Sequence, residues 1–257
     1  RSLRRRWLGG ARGFLAVSAA TAGDLERLRR RPSGSIPWCH LAPEPLFSER
    51  PPEHRLWRQL QADAQLRLPY VLLPATSSIG SYKNPELVAQ ALLQPGLEQV
   101  QLVLSGLAAS THAQALTERW PALRPRLVVA GFTDLQLSVA YRHALAVVLP
   151  SRIEGFGLPA VEAMAAGAMV LLADAQGLRQ AGGSACPRVD PERPDQLAAW
   201  LRLLLDAPST SWLAGRLAPR IQRHLQHRNP DLFGIALLAL ARRLQAPDAQ
   251  GIQPLPS

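Results

Sequence analysis

Glu154 and Glu162 stand eight positions apart, with Gly155, Phe156, Gly157, Leu158 and Pro159 between them, and Lys83 is the only lysine in the chain. These residue types suit a narrow range of chemistry. A carboxylate accepts hydrogen bonds from vicinal hydroxyls such as those of a ribose or hexose ring, while an ammonium group holds phosphate. Unpaired amides at a helix start do the same for anions. The stretch Leu149 to Gly167, LPSRIEGFGLPAVEAMAAG, reads as a strand end, a turn and a helix that opens near Leu158. Pro159 fits the first helical turn, where its missing N–H costs nothing. Gly155 and Gly157 permit positive φ and close approach of a ligand to the backbone. Glu162 then lies about one turn inside the helix and Glu154 just before the turn, leaving room for a ligand between two carboxylates. An acidic residue in a first turn also gains about 0.3–1 kcal/mol from the helix dipole alone. Glu162 by itself therefore says little; the whole string points to a ligand that is both phosphorylated and hydroxyl-rich.

The elements around this string predict where it sits. From Pro69 onward, short apolar runs alternate with helical patterns. YVLLPA (70–75), QVQLVLSG (99–106), RLVVAGF (126–132), LAVVLP (145–150) and AMVLLAD (168–174) read as strands. NPELVAQALL (84–93), HAQALTERW (112–120) and LQLSVAYRHA (135–144) read as helices between them. Continuous apolar strands separated by helices predict an α/β fold with a Rossmann-like, doubly wound parallel sheet covered on both faces. Ligands of such sheets sit beyond the carboxyl ends of the strands, which is the edge carrying residues 150–162. Three helical stretches follow, at 193–205, 211–226 and 231–245, and the tail APDAQGIQPLPS reads as frayed. Before Pro69, residues 14–17 and 32–47 suggest two short strands around a helix that Ser18 begins, a set too small to close a core. We therefore expect residues 1–50 to be the end of an incomplete N-terminal domain and 51–69 a linker. Residues 70–228 form the ligand-binding domain, 229–246 a C-terminal helix and 247–257 a disordered tail.

Composition removes several classes. No run reaches the roughly 20 apolar residues of a membrane-spanning helix. The basic, then apolar N-terminus is interrupted by Gly9, Gly10, Arg12 and Gly13, so it does not read as a signal peptide. Cys39 and Cys186 form neither a disulfide framework nor a metal spacing, and they suit a reducing cytoplasm. The net charge of +10 rests on arginines clustered at 4–6 and 27–31. Aromatics are few and no recognition motif accompanies those arginines, so nucleic acid is not expected as a partner. A solvated basic face is the simple account; contact with anionic lipid heads through the basic N-terminus, at the cytoplasmic membrane face, is the other.

The string EGFGLPAVEAMAAGAMVLLAD resembles the signature of the retaining GT-B glycosyltransferases of family GT4, the glycosyl transferases group 1, whose hallmark of two glutamates eight apart matches Glu154 and Glu162. AVSAATAGDL, LLPATSSIGSYKNPELVAQAL, VVAGFTDLQLSVAYRHALAVVLPS and DAQGLRQAGGSACPRVDPERPDQLAAWLRLLL resemble further elements of that family in the same order. Residues 70–228 would accordingly be the donor-binding domain and residues 1–50 the last part of the acceptor domain. The resemblance implies a hexosyl transfer from a nucleotide-diphosphate sugar to an acceptor hydroxyl with retention, in polysaccharide or glycolipid synthesis. Glu162 would hold the ribose, and Glu154 the donor sugar. The amides of Phe156, Gly157 and Leu158 would meet the distal phosphate or sugar, while Gly131, Phe132 and Thr133 would face the base. Lys83 would neutralise the diphosphate. No cofactor and no metal are expected, and the acceptor is a glycan or lipid-linked hydroxyl of unspecified type. The chain departs from the family pattern at Ser77, where an arginine is usual, at Gln176 and at Arg179. Arg152 is a candidate to share the charge that the missing arginine would have met. The family's glycine-rich loop and active-site histidine have no counterpart, and none of the six histidines lies in such a segment. The alternative is a non-catalytic nucleotide-sugar-binding or scaffolding module. A protein partner or self-association is expected to cover apolar surface left by the absent half.

Overall fold

A computed structural model of the chain describes residues 10–49, 53–74 and 81–245. The arginines at 4–6, Ser77 and the tail 247–257 lie outside the described residues. In chain order the elements are α1 (Ala19–Arg29), α2 (Pro45–Ser48), α3 (Glu53–Asp63), β1 (Tyr70–Pro74), α4 (Pro85–Leu92), β2 (Gln101–Ser105), α5 (Ala109–Arg119) and β3 (Leu127–Ala130). There follow α6 (Asp134–His143), β4 (Ala146–Leu149), α7 (Leu158–Ala165), β5 (Val170–Ala173), α8 (Gln176–Gly182), β6 (Arg188–Val189), α9 (Pro194–Leu205), α10 (Ala207–Gln226) and α11 (Pro230–Gln245).

The six strands form one sheet in the order β3-β2-β1-β4-β5-β6, every pair parallel. This is the doubly wound arrangement expected from the sequence. Side chains alternate across a strand, and here both faces are apolar because both are covered. Val71, Leu73, Leu102, Leu104, Ala146 and Val148 point into one core, shared with α4, α5 and α9. Tyr70, Leu72, Val103 and Val147 are fully buried on the opposite face. There the Tyr70 hydroxyl donates to the Ala140 carbonyl of α6, which settles the one polar group of that strand in the interior.

The chain divides into two units, Pro43–His227 and a smaller one made of Arg1–Ala42 with Arg228–Ser257. The larger unit thus begins well before the strand at 70. The segment expected as a linker contributes α3, which packs on α6. There Trp57 stacks on His143 with centroids 4.1 Å apart and planes 9° from parallel. Trp57 also stacks on Tyr70 of β1, with centroids 6.1 Å apart, so this helix packs as part of the sheet unit. In the smaller unit the two predicted strands reduce to a single parallel bridge between Ala16 and Trp38. Ser18 caps α1 by accepting from the Thr21 N–H at 3.0 Å, and the buried Glu26 carboxylate accepts from the Ile36 N–H at 2.9 Å. These polar anchors replace a ladder, because segments bounded by Gly10, Gly13, Pro32 and Gly34 are too short to pair further. Among the described residues no helix is long and apolar enough to cross a membrane.

Candidate functional site

β1 and β4 are neighbours in the sheet, yet the chain visits β2 and β3 between them. At such a reversal the connecting segments leave in opposite directions and open a crevice at the carboxyl ends of the strands. Lys83 follows β1 and Glu154 follows β4, so each reaches this crevice from its own side. The Lys83 ammonium donates to Glu154 Oε2 at 2.7 Å, and the two side chains are only 12% and 19% exposed. An ammonium has three N–H donors; two remain after the bond to Glu154, and the carboxylate keeps its second oxygen. The contact thus leaves hydrogen-bonding capacity on both side chains.

Several bonds fix the pair. The Arg152 N–H donates to the Tyr82 carbonyl at 2.7 Å, joining the segments that follow β1 and β4. Asn84, 1% exposed, donates through Nδ2 to the carbonyls of Pro150 (3.2 Å) and Pro191 (2.8 Å), adding the segment after β6. Its φ of 52° lies in the left-handed region, which asparagine tolerates better than most residues. Gly157 has φ 104° as the residue preceding α7, and a Cβ there would meet Leu178 at 2.7 Å. Gly177 is tighter still, since a Cβ would lie 2.0 Å from the Glu154 carbonyl oxygen. The backbone that carries Glu154 therefore rests directly on the first turn of α8.

Lys83, Glu154, His112, Leu73, Leu149 and Pro159 are among the residues lining a cavity of about 30 Å³ between the strand ends and α7. That is space for about one water molecule. Phe156 and Gly157 are buried and Leu158 is half-buried. Pro159 has no N–H and the Ala160 N–H donates to the Gly157 carbonyl at 2.9 Å, so of the first three residues of α7 only Leu158 keeps an amide without a helical partner.

Glu162 is placed apart from this cavity. It is half-buried on α7 near Asp134, at the start of α6, and Glu44, which precedes α2. Burial, then the charges of Asp134 and Glu44, push its carboxyl up to about 7. Burial chiefly, and after it Glu162 and Asp134, push the Tyr141 hydroxyl far above its usual range. Gly131, Phe132 and Thr133 occupy the turn after β3, directly before Asp134, with Gly131 and Thr133 exposed and Phe132 half-buried. Thr133 caps α6: its hydroxyl accepts from the Gln136 N–H at 3.3 Å and its own N–H donates to Gln136 Oε1 at 2.9 Å. The nine predicted residues thus fall into two groups on one sheet edge, Lys83 and Glu154 with the α7 start, and Glu162 with the turn 131–133.

Arg152 does not stand open to share the load of Lys83. Its guanidinium makes a fork with Glu192, at 2.6 and 3.2 Å. Arg179 is likewise paired, with Asp174 at 2.6 and 2.8 Å. Sequence reasoning missed His112, Asn84, Gly177 and Glu44. A glycine in a first helical turn was a legible hint of close backbone approach; the other three carry no local signal.

With that geometry in hand, the chain's relationships are informative. Residues 71–207 match the family model of the glycosyl transferases group 1, and the chain belongs to that family. It is 29% identical over 209 residues to the MMP alpha-(1->4)-mannosyltransferase of Mycolicibacterium hassiacum, an overlap of 76% of this chain and 46% of that protein. Among solved structures, a glycosyltransferase of Rickettsia africae superposes with a TM-score of 0.75 at 14% identity, covering 96% of this chain and 68% of the other. Anabaena HepE in complex with UDP-glucose superposes at 0.66 and 19% identity, over 90% and 64%. These neighbours define the GT-B type of fold. The chain spans about half the length of the curated relatives it matches.

Proposed function

We propose that the crevice between β1 and β4 binds the diphosphate and sugar of a nucleotide-diphosphate sugar, as the donor-binding part of a retaining hexosyltransferase. The observation that carries this reading is the Lys83–Glu154 pair at the point where the strand order reverses. Lys83 offers its two remaining N–H donors to the phosphates, next to the Leu158 amide that opens α7. Glu154 accepts from hydroxyls of the transferred sugar. Glu162 and the turn 131–133, one strand group away on the same edge, take the ribose and the base. The crystallised HepE complex, which holds UDP-glucose, supports this assignment by its shared fold.

In the transfer, the bond between the anomeric carbon and the diphosphate oxygen breaks and its electron pair leaves with the nucleoside diphosphate. A new bond forms to the acceptor oxygen on the same face, and the acceptor's proton is released. Lys83 and the Leu158 amide stabilise the charge that develops on the departing diphosphate, a contribution that needs only fixed donors in place beforehand. Positioning supplies most of the remainder, and neither a cofactor nor a divalent metal is part of this scheme. The acceptor is a glycan or lipid-linked hydroxyl. Titration calorimetry with UDP-glucose, GDP-mannose and ADP-glucose tests the donor reading, in buffer with and without EDTA. Saturable binding of at least one, unaffected by EDTA, is expected; no heat with any of the three contradicts it. Release of nucleoside diphosphate from a bound donor separates a transferase from a module that only binds.

A further inference from the structure

We propose that His112 is an additional diphosphate-contacting residue of this site, joining Lys83 as an imidazolium when the donor is bound. This rests on the donor reading given above. α5 starts at the carboxyl end of β2, the strand beside β1, and His112 lies in its first turn. The side chain is 7% exposed and lines the same cavity as Lys83 and Glu154. Its Nδ1 is buried with no hydrogen-bond partner. A buried ring nitrogen without a partner is a standing cost to the free protein; a phosphate oxygen at the cavity mouth would remove it.

The surrounding charges favour the same conclusion. The other cation of the cavity, Lys83, already gives one N–H to Glu154, and Arg152 forks onto Glu192. A diphosphate brings two negative charges, so a further donor is chemically useful. Groups facing His112 come from three elements: Glu86 on α4, Lys83 before it, and Glu154 in the turn before α7. Glu86 also has a buried, unpartnered carboxylate oxygen. Burial lowers the affinity of His112 for its proton and the Glu86 charge raises it, with burial the larger influence. The imidazole is therefore held mostly neutral near pH 7 in the free protein. An arriving diphosphate favours the charged form, so donor binding takes up a proton between the lowered free value and the raised bound one. The contribution of His112 grows as pH falls. Glu162, which ionises near 7, acts in the opposite direction, because its charged form is the better acceptor for ribose hydroxyls.

Comparison with a variant cancels the Glu162 effect. Calorimetric titration of the full chain with UDP-glucose and GDP-mannose, whose diphosphates carry no proton in this range, is made at pH 5.5, 6.5 and 8 for the wild type and His112→Gln. The ratio of variant to wild-type Kd should rise from about two at pH 8 to about tenfold at pH 5.5, one pKa unit of tightening being tenfold. Repeating both titrations in buffers of different ionisation enthalpy should show more proton uptake by the wild type than by His112→Gln at pH 6.5, the Glu162 contribution being common to both. His112→Asn serves as a second variant if His112→Gln folds poorly. A flat ratio, with equal proton exchange in wild type and variant, overturns the role of His112 and leaves the donor site standing. Absence of wild-type binding at every pH overturns the donor site and His112 together.

Discussion

Gly177→Ala sets helix propensity against close packing. Gly177 lies in the first turn of α8, where alanine ordinarily gains about 0.5–1 kcal/mol over glycine. A Cβ at that position would sit 2.0 Å from the Glu154 carbonyl oxygen, 2.7 Å from its carbonyl carbon and 3.0 Å from the Gly155 carbonyl carbon. All three are backbone atoms, so no rotamer can relieve the contact, and ordinary van der Waals separation requires a shift of roughly 1 Å or more. Overpacking of this kind costs about 1–3 kcal/mol, and a backbone clash belongs at the upper end. The net expectation is a loss of about 1–2 kcal/mol, or several degrees in Tm at about 2–4 °C per kcal/mol for a unit of this size. Because the displaced backbone carries Glu154, donor affinity should fall about tenfold, the equivalent of one charge-assisted hydrogen bond. Urea unfolding followed by circular dichroism, with UDP-glucose or GDP-mannose titrations beside it, measures both. Gly215→Ala in the middle of α10, where a Cβ would meet nothing within 4 Å, is the control and should gain about 0.5–1 kcal/mol. A Gly177→Ala protein as stable as the wild type, with unchanged affinity, refutes the packing of α8 under the Glu154 turn.

Three further outcomes follow from the same geometry. Glu162 ionises near 7 in the fold against about 4.3 in an unfolded chain, so between those values the folded state holds more protons and stability falls as pH rises through 7. Glu162→Gln should flatten that slope and exceed the wild type in urea midpoint at pH 8 but not at pH 4. Asn84→Ala leaves the Pro150 and Pro191 carbonyls without their shared donor and should cost about 2–3 kcal/mol in urea unfolding. Lys83→Ala and Glu154→Gln, combined in a double-mutant cycle, should show a coupling of about 1–3 kcal/mol in stability; additive effects contradict a functioning pair.

The sheet was legible because five of its strands are apolar runs; four are buried on both faces, while β3, at the sheet edge, leaves Val129 exposed. β6 was not, since Arg188 and Val189 give no such run and the strand exists only through its pairing with β5. α8 was hidden for a similar reason: QGLRQAG has two glycines in seven residues and no amphipathic period. Among site residues, the string around Glu154 and Glu162 was readable because glycine, proline and acid at a strand-to-helix turn have local physical reasons. Its partition was not. Nothing in the spacing says that Glu154 turns to Lys83, a partner 71 positions away, while Glu162 meets Glu44 and Asp134. His112 and Asn84 resemble ordinary surface residues until the sheet order brings the ends of β1, β2, β4 and β6 to one edge.

The most direct test of the donor crevice is a crystal structure of the chain with a bound nucleotide sugar. The diphosphate should lie at the carboxyl ends of β1 and β4, with a phosphate oxygen about 2.7–2.9 Å from the Lys83 ammonium and sugar hydroxyls on Glu154. A ligand bound elsewhere, with Lys83 and Glu154 touching only each other, contradicts it.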